Sequence, residues 1–229
     1  MTEAAVACTE QLIKGMAAIS YVSNMEYSPK KAVFLDRDGV INHKAQEGDY
    51  IRTWDEIRFL PGAVPAVASL NRAGFKVFVV TNQRGVATRK VRMQDLLTIH
   101  ARIQHVFALA GGVISQIYYC PHNTSENCGC RKPQPGMLKR AAREHNLDLR
   151  ASWMIGDSLT DVKAGENAGC RSVLLGSHSR DLSKLSQAVL VADSLESAVR
   201  LILGLDERGS VLVSTQSTGT FEDFFREDS

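Results

Sequence analysis

Short apolar-rich runs alternate along this chain with longer stretches whose apolar residues recur every three to four positions. AVFL at 32–35, FKVFVV at 75–80, SQIYYC at 115–120, SWMI at 152–155, RSVLL at 171–175 and VLVA at 189–192 have the length and residue types of buried strands. Between them, positions 61–72 place Val64, Val67, Ala68 and Leu70 at helical spacing. Positions 91–109 do the same with Leu96, Leu97, Ile99, Ile103, Val106 and Phe107, and 136–145 with Met137, Leu138, Ala141 and Ala142. Positions 159–168 and 195–203 complete the set. Strands alternating with helices predict βαβ units and an α/β fold, an open doubly wound parallel sheet flanked by helices.

The flanks are different. Residues 1–30 carry no motif; an amphipathic helical pattern over 3–19 runs into the polar SNMEYSPK, and the segment reads as an N-terminal extension. Residues 206–229 are rich in Ser, Thr, Glu and Asp and read as a disordered tail, which leaves 31–205 as the folded domain. A chain of 229 residues that is 44% hydrophobic can bury a full core without staples. The charge balance, 27 Lys and Arg against 25 Asp and Glu, predicts no nucleic-acid partner. No apolar stretch approaches the roughly 18 residues of a membrane span. Glu3 stands where a secretory signal would carry positive charge, so the expected setting is cytoplasmic, without a membrane partner.

In an open parallel sheet, ligands bind beyond the carboxyl ends of the strands. The first strand runs directly into Asp36-Arg37-Asp38-Gly39. Two carboxylates at one strand end repel unless something offsets them, and a hard divalent cation such as Mg²⁺ prefers oxygen ligands. Read singly, the segment is equally a solvated turn. The second strand ends in Thr81-Asn82-Gln83, suited to an anionic oxygen or to capping a helix. The fourth ends in Gly156-Asp157-Ser158-Leu159-Thr160-Asp161, where acidic residues also suit a helix N-terminus. Arg131 and Lys132 add positive charge before another helix. Every one of these signals follows a strand or precedes a helix, and their chemistry is complementary: carboxylates for a cation, hydroxyl and cationic groups for a phosphate.

A second constellation is Cys120-Pro121-His122 followed, after five residues, by Cys128-Gly129-Cys130. Three thiols and an imidazole this close suit a tetrahedral Zn²⁺ site. The spacing is tighter than that of zinc fingers, and unrelated reduced cysteines or a disulfide are the alternatives. With four protein ligands the site would be closed and structural, clamping a loop that feeds straight into Arg131 and Lys132.

The order of these motifs resembles the haloacid dehalogenase-like (HAD-like) phosphohydrolase superfamily, over about residues 31–176. FLDRDGVIN, VVTNQRG, YYCPH, CxCRKPxPGM and GDxxxD in one chain look like the D-glycero-D-manno-heptose-1,7-bisphosphate 7-phosphatase family, to which histidinol-phosphate phosphatase domains are related. The resemblance implies a Rossmann-like domain with a minimal cap and a zinc-binding loop. It implies Asp36 as the nucleophile that forms an aspartyl-phosphate and Asp38 as the proton donor and acceptor. Mg²⁺ would be held by the Asp36 and Asp157 carboxylates and the Asp38 backbone carbonyl. Thr81, Asn82, Arg131 and Lys132 would bind the phosphoryl group or substrate, and Asp161 would orient Lys132 or metal-bound water. It further implies a phosphorylated sugar as substrate, and the expected working unit is a monomer.

This chain departs from the pattern twice. Ala87-Thr88-Arg89-Lys90 stands where the family commonly has Ala-Arg-Gly, and Ser158 stands where it often has Lys. Three readings are therefore carried forward: a sugar-bisphosphate phosphatase, a phosphatase of another small phosphomonoester such as histidinol phosphate, and a metal-stabilised binding module without catalysis. The cations Arg84, Arg89, Lys90 and Arg92 favour an anionic substrate, while the same residues also read as a solvated helix start.

Overall fold

A computed structural model describes residues 29–176 and 189–208, with side chains to residue 204. The expected helix at 3–19 and the end of the expected tail fall outside the described residues. Six strands form one sheet: β1 (Ala32–Leu35), β2 (Lys76–Asn82), β3 (Ile114–Cys120), β4 (Trp153–Gly156), β5 (Arg171–Leu175) and β6 (Val189–Ala192). All neighbours are parallel, in the order β3-β2-β1-β4-β5-β6. The connecting helices are α1 (Ala63–Arg72), α2 (Met93–Leu109), α3 (Gly136–His145), α4 (Leu159–Ala168) and α5 (Leu195–Arg208).

The strands read as continuous apolar runs because both faces of the sheet are covered. In β1, Val33 and Leu35 face a core built with Val67 and Leu70 of α1, Ile103 of α2 and Val199 of α5. Ala32 and Phe34 face the opposite core, with Leu138 and Ala141 of α3 and Ala164 of α4. All four β1 side chains are fully buried, and Phe34 stacks on Phe78 of β2 with ring centroids 5.6 Å apart. Val33, Phe34 and Leu35 each contribute about 1.5–3 kcal/mol by leaving water.

Helix α1 begins at Ala63, two residues later than the periodicity suggests, because Gly62 sits in the left-handed region at φ 75°. Helix α2 begins at Met93, since Arg92 is extended and its guanidinium pairs with Asp95 at 2.6 Å. Helix α5 continues to Arg208, past the expected boundary at 205. Strand β2 runs on to Asn82, so Thr81 and Asn82 are themselves paired, with Tyr119 and Cys120 of β3. That register brings the start of the Cys/His loop beside the end of β2.

The topology places the site. The sheet reverses direction of growth between β1, the first strand, and β4, its other neighbour. The connections leaving these two strands diverge and open a crevice at their carboxyl ends. No domain is inserted after β1; residues 36–62 form a loop with a single 3-10 turn at Trp54–Glu56. Among the described residues, no helix is long and apolar enough to cross a membrane.

Candidate active site

Asp36 is the first residue beyond β1, and its backbone N–H still donates to Ile155 O of β4 at 3.0 Å. The strand register therefore continues through it and aims its carboxylate into the crevice. Oδ1 accepts from the Arg37 N–H at 2.7 Å and lies 2.8 Å from Lys132 Nζ. Lys132 is buried, and its ammonium also reaches Asp161 Oδ1 at 2.6 Å and donates to Val80 O at 2.8 Å. All three N–H groups thus have partners. Burial alone would lower the Lys132 pKa, but the Asp36 and Asp161 charges outweigh it and raise it. Burial pushes Asp36 up to about 7, with Lys132 opposing and the Asp161 charge adding to the rise.

Ligand oxygens of Asp36, Asp157 and Asp161 lie within 4.8 Å of one another. Asp157 Oδ1 is buried and has no hydrogen-bond partner among the described residues. An orphaned, buried carboxylate oxygen beside two further carboxylates fits a hard divalent cation. The close approach depends on two glycines. Gly39 has φ 91°, and a Cβ there would collide with the Asp157 carboxylate; a Cβ on Gly156 would collide with Asp161. Asp161 is fully buried and is held by the Ser158 N–H at 3.0 Å and by the Ser158 hydroxyl. It lies on Lys132, the first of the two roles expected for it.

The Asp38 carboxylate sits in a polar nest. The Arg37 guanidinium forks onto it, with Nη2 2.8 Å from Oδ2 and Nε 3.1 Å from Oδ1. Asn42 donates to Oδ1 at 2.9 Å and Gln83 to Oδ2 at 3.0 Å. Burial would raise the Asp38 pKa, but the Arg37 charge and these hydrogen bonds outweigh it and hold the carboxyl below its ordinary value. The same Gln83 amide donates to Thr81 Oγ1 at 2.8 Å, so the end of β2 and Asp38 share one donor.

Asn82, expected among the substrate-binding groups, is spent on the backbone of Lys132. Its Oδ1 accepts from Lys132 N–H at 3.0 Å and its Nδ2 donates to Lys132 O at 3.1 Å. Arg131 is the reverse case: its Nη1 is buried with no hydrogen-bond partner among the described residues, as a group awaiting an anion would be.

The four soft ligands meet as the sequence spacing suggests. Cys120 Sγ lies 3.5 Å from both Cys128 Sγ and His122 Nδ1, and His122 Nδ1 lies 3.2 Å from Cys130 Sγ. Cys128 and Cys130 are 3.5 Å apart, and all three cysteines are free. With Zn–S bonds of about 2.3 Å, a tetrahedron has ligand–ligand edges of roughly 3.6–3.8 Å, so the cluster fits one Zn²⁺ with slight expansion. Burial raises the Cys128 thiol, yet hydrogen bonds from Cys120 and Cys130 bring it down to about 7, while burial pushes Cys130 up to about 12. Three thiolates coexist at such distances only around a cation.

Sequence reading missed Lys44, Arg37, Gln83 and His100. Lys44, from the loop after β1, reaches back to Asp157 Oδ2 at 2.5 Å. An ammonium therefore stands beside Asp157 although residue 158 is Ser. Arg89, at the position where the resembled pattern has Gly, adopts φ 58°. The contacts of Lys44 with Asp157, Gln83 with Asp38 and His100 with Arg37 join elements distant along the chain and have no local sequence signal.

The strand order, the Asp36–Asp157–Asp161 cluster at the switch point and the buried lysine define a HAD-like hydrolase, and a family model described as HAD-hydrolase-like matches residues 129–198. The chain is 38% identical over 177 residues to D-glycero-beta-D-manno-heptose-1,7-bisphosphate 7-phosphatase of Pseudomonas aeruginosa, spanning 76% of this chain and 98% of that protein. It belongs to the D-glycero-D-manno-heptose-1,7-bisphosphate 7-phosphatase family. A relative from Mycobacterium bovis, 39% identical over 150 residues covering 63% of this chain and 78% of that one, is named for the alpha form of the sugar. Among solved structures, D,D-heptose 1,7-bisphosphate phosphatase from Bordetella bronchiseptica, complexed with magnesium and phosphate, matches with a TM-score of 0.70 and 35% identity. That match covers 76% of this chain and 98% of the other.

Proposed function

We propose that this protein is a Mg²⁺-dependent phosphomonoesterase that removes the 7-phosphate of D-glycero-D-manno-heptose 1,7-bisphosphate. The observation that carries the reading is the Asp36 carboxylate at the topological switch point, 2.8 Å from the buried Lys132 ammonium and clustered with Asp157. A binding module has no need of that pair.

Asp36 attacks phosphorus, forming the P–O bond of an aspartyl-phosphate as the ester P–O bond breaks. Asp38, ionised in its Arg37 nest in the free protein, takes up a proton as the negative charge of the phosphate enters the site. It gives that proton to the departing sugar oxygen, then takes a proton from the water that cleaves the aspartyl-phosphate and releases phosphate. Mg²⁺, held by the Asp36 and Asp157 carboxylates and the Asp38 backbone carbonyl, would supply charge neutralisation for the phosphoryl oxygens. Thr81, Lys132 and Arg131 hold those oxygens, and Asn82 acts by fixing Lys132. The buried, unpartnered Arg131 Nη1 supports an anionic ligand there. Arg92 is spent on Asp95, which leaves Arg84, Arg89 and Lys90 on the loop after β2 for the second, non-reacting phosphate. Zn²⁺ on Cys120, His122, Cys128 and Cys130 would be structural, and its reduced thiols suit a reducing, cytoplasmic setting. All of these groups come from one chain, which acts as a monomer.

Phosphate release across both anomers of the heptose bisphosphate, sugar monophosphates and histidinol phosphate tests the reading. The heptose bisphosphate should have the highest kcat/KM. Preference for histidinol phosphate would overturn the substrate assignment, and no hydrolysis of any phosphomonoester in Mg²⁺ would overturn the enzyme.

A further inference from the structure

One buried titratable side chain has no part in the mechanism above. His100 lies on the inner face of α2 and is 5% exposed. Its Nε2 is 3.4 Å from Arg37 Nη1, and its ring packs obliquely on Tyr119 with centroids 5.5 Å apart. Arg37 is itself 1% exposed and lies directly between His100 and Asp38. Its Nε and Nη2 grip the Asp38 carboxylate, so Nη1 is left with His100 as its acceptor. A guanidinium only donates, so Nε2 must carry the lone pair and Nδ1 the proton. Burial, and then the Arg37 charge, push His100 down to about 3, which keeps the ring neutral and able to accept.

A guanidinium is planar, and two contacts on opposite edges set its plane. His100 fixes one edge; the other edge carries Asp38. With an apolar ring at position 100, Nη1 would be buried without an acceptor, and the fork would turn to find one, carrying Asp38 with it. We propose that His100, acting through Arg37, is a positioning residue that sets the direction in which Asp38 presents its proton. This rests on Asp38 being the general acid.

The test separates proton donation from everything else by changing the leaving group. A sugar alkoxide needs a proton as it departs; p-nitrophenolate does not. In single-turnover measurements of leaving-group release in Mg²⁺, His100→Phe should slow the sugar phosphate by about tenfold or more, within the span general acid catalysis supplies. The rate with p-nitrophenyl phosphate should stay within about twofold, as should KM for the sugar. His100→Gln, which keeps an acceptor, should recover most of the loss. Equal slowing of both substrates, or of neither, overturns the proposal. Asp38→Asn is the control: if it too slows both substrates alike, the general-acid reading fails; if it discriminates and His100→Phe does not, only the role of His100 fails. Should His100→Phe not fold, ¹⁵N NMR of the wild-type protein decides: a neutral His100 protonated on Nδ1 supports the proposal, and a proton on Nε2 overturns it.

Discussion

The side-chain amide of Asn82 brackets the backbone of Lys132, accepting from its N–H at 3.0 Å and donating to its C=O at 3.1 Å. The two residues are 50 positions apart, and Lys132 follows the Cys/His loop by only two residues. The paired end of β2 therefore sets where the ammonium stands. Asn82→Ala should leave two buried backbone groups without partners, at about 1–3 kcal/mol of stability. It should also lower kcat by about tenfold or more through a misplaced Lys132. Urea melts and steady-state kinetics check both; a variant that loses substrate affinity alone, with kcat intact, would instead make Asn82 a substrate contact.

Asp36→Asn should abolish turnover while the fold persists. An amide neither attacks phosphorus nor holds Mg²⁺ well, so a loss on the order of 10⁴-fold or more is expected. Circular dichroism and phosphate release on the purified variant are the measurements. Activity within tenfold of wild type would remove Asp36 as the nucleophile.

The same residue has a pH signature. Its carboxyl moves from 3.8 to about 7 on folding, so between those values the folded state binds more protons than the unfolded one. Stability from this group is complete below pH 3.8 and is lost as pH rises through about 7. In chelator-treated protein, wild type should lose stability relative to Asp36→Asn over that window. Added Mg²⁺ should oppose the loss, because a cation favours the carboxylate. Denaturant melts at several pH values test this, and a wild-type-minus-variant difference that does not change with pH would contradict it.

Arg89 holds a left-handed backbone at φ 58°, a conformation that costs a side-chain-bearing residue roughly 1–2 kcal/mol and glycine almost nothing. Allowing for the greater unfolded-state entropy of glycine, Arg89→Gly should stabilise the protein by about 0.5–1 kcal/mol. If the strain is kept for substrate recognition, the same change should raise KM for a bisphosphate and leave KM for a monophosphate unchanged. Thermal melts and the two KM values decide.

Much of this was legible in one dimension, for a physical reason. A strand buried on both faces is a short apolar run, and the residues that close or follow it stand at the sheet edge, so Asp36, Thr81 and Asp157 could be placed from the ends of the apolar runs alone. The Cys/His ligands are local enough for spacing to imply proximity. What was not legible joins distant elements: Lys44 on Asp157, His100 behind Arg37, Gln83 between Thr81 and Asp38. Asn82 shows the limit clearly, since an amide at a strand end suits a ligand or a neighbouring backbone equally, and only the path of the loop through Lys132 assigns it to the backbone.

The zinc loop yields the last prediction. Cys120 closes β3 and is fully buried, whereas His122, Cys128 and Cys130 lie on the loop that leads into Arg131 and Lys132. Freshly purified protein should carry one Zn²⁺ per chain. Structural zinc contributes about 10–16 kcal/mol of apparent binding free energy in small peptides, where it holds the whole fold. Here the strands pack into two cores of their own, so losing the metal should loosen the loop and leave the sheet. Cys128→Ser should retain most secondary structure and lower kcat as well as raise KM, because Lys132 touches Asp36 at 2.8 Å and moves with the loop. Asn82 limits the displacement by holding Lys132 from the sheet side, so Cys128→Ser combined with Asn82→Ala should lose more activity than the product of the two single losses. Metal analysis and kinetics of the four proteins test the whole chain of argument; full activity in a zinc-free Cys128→Ser variant would sever the loop from the site.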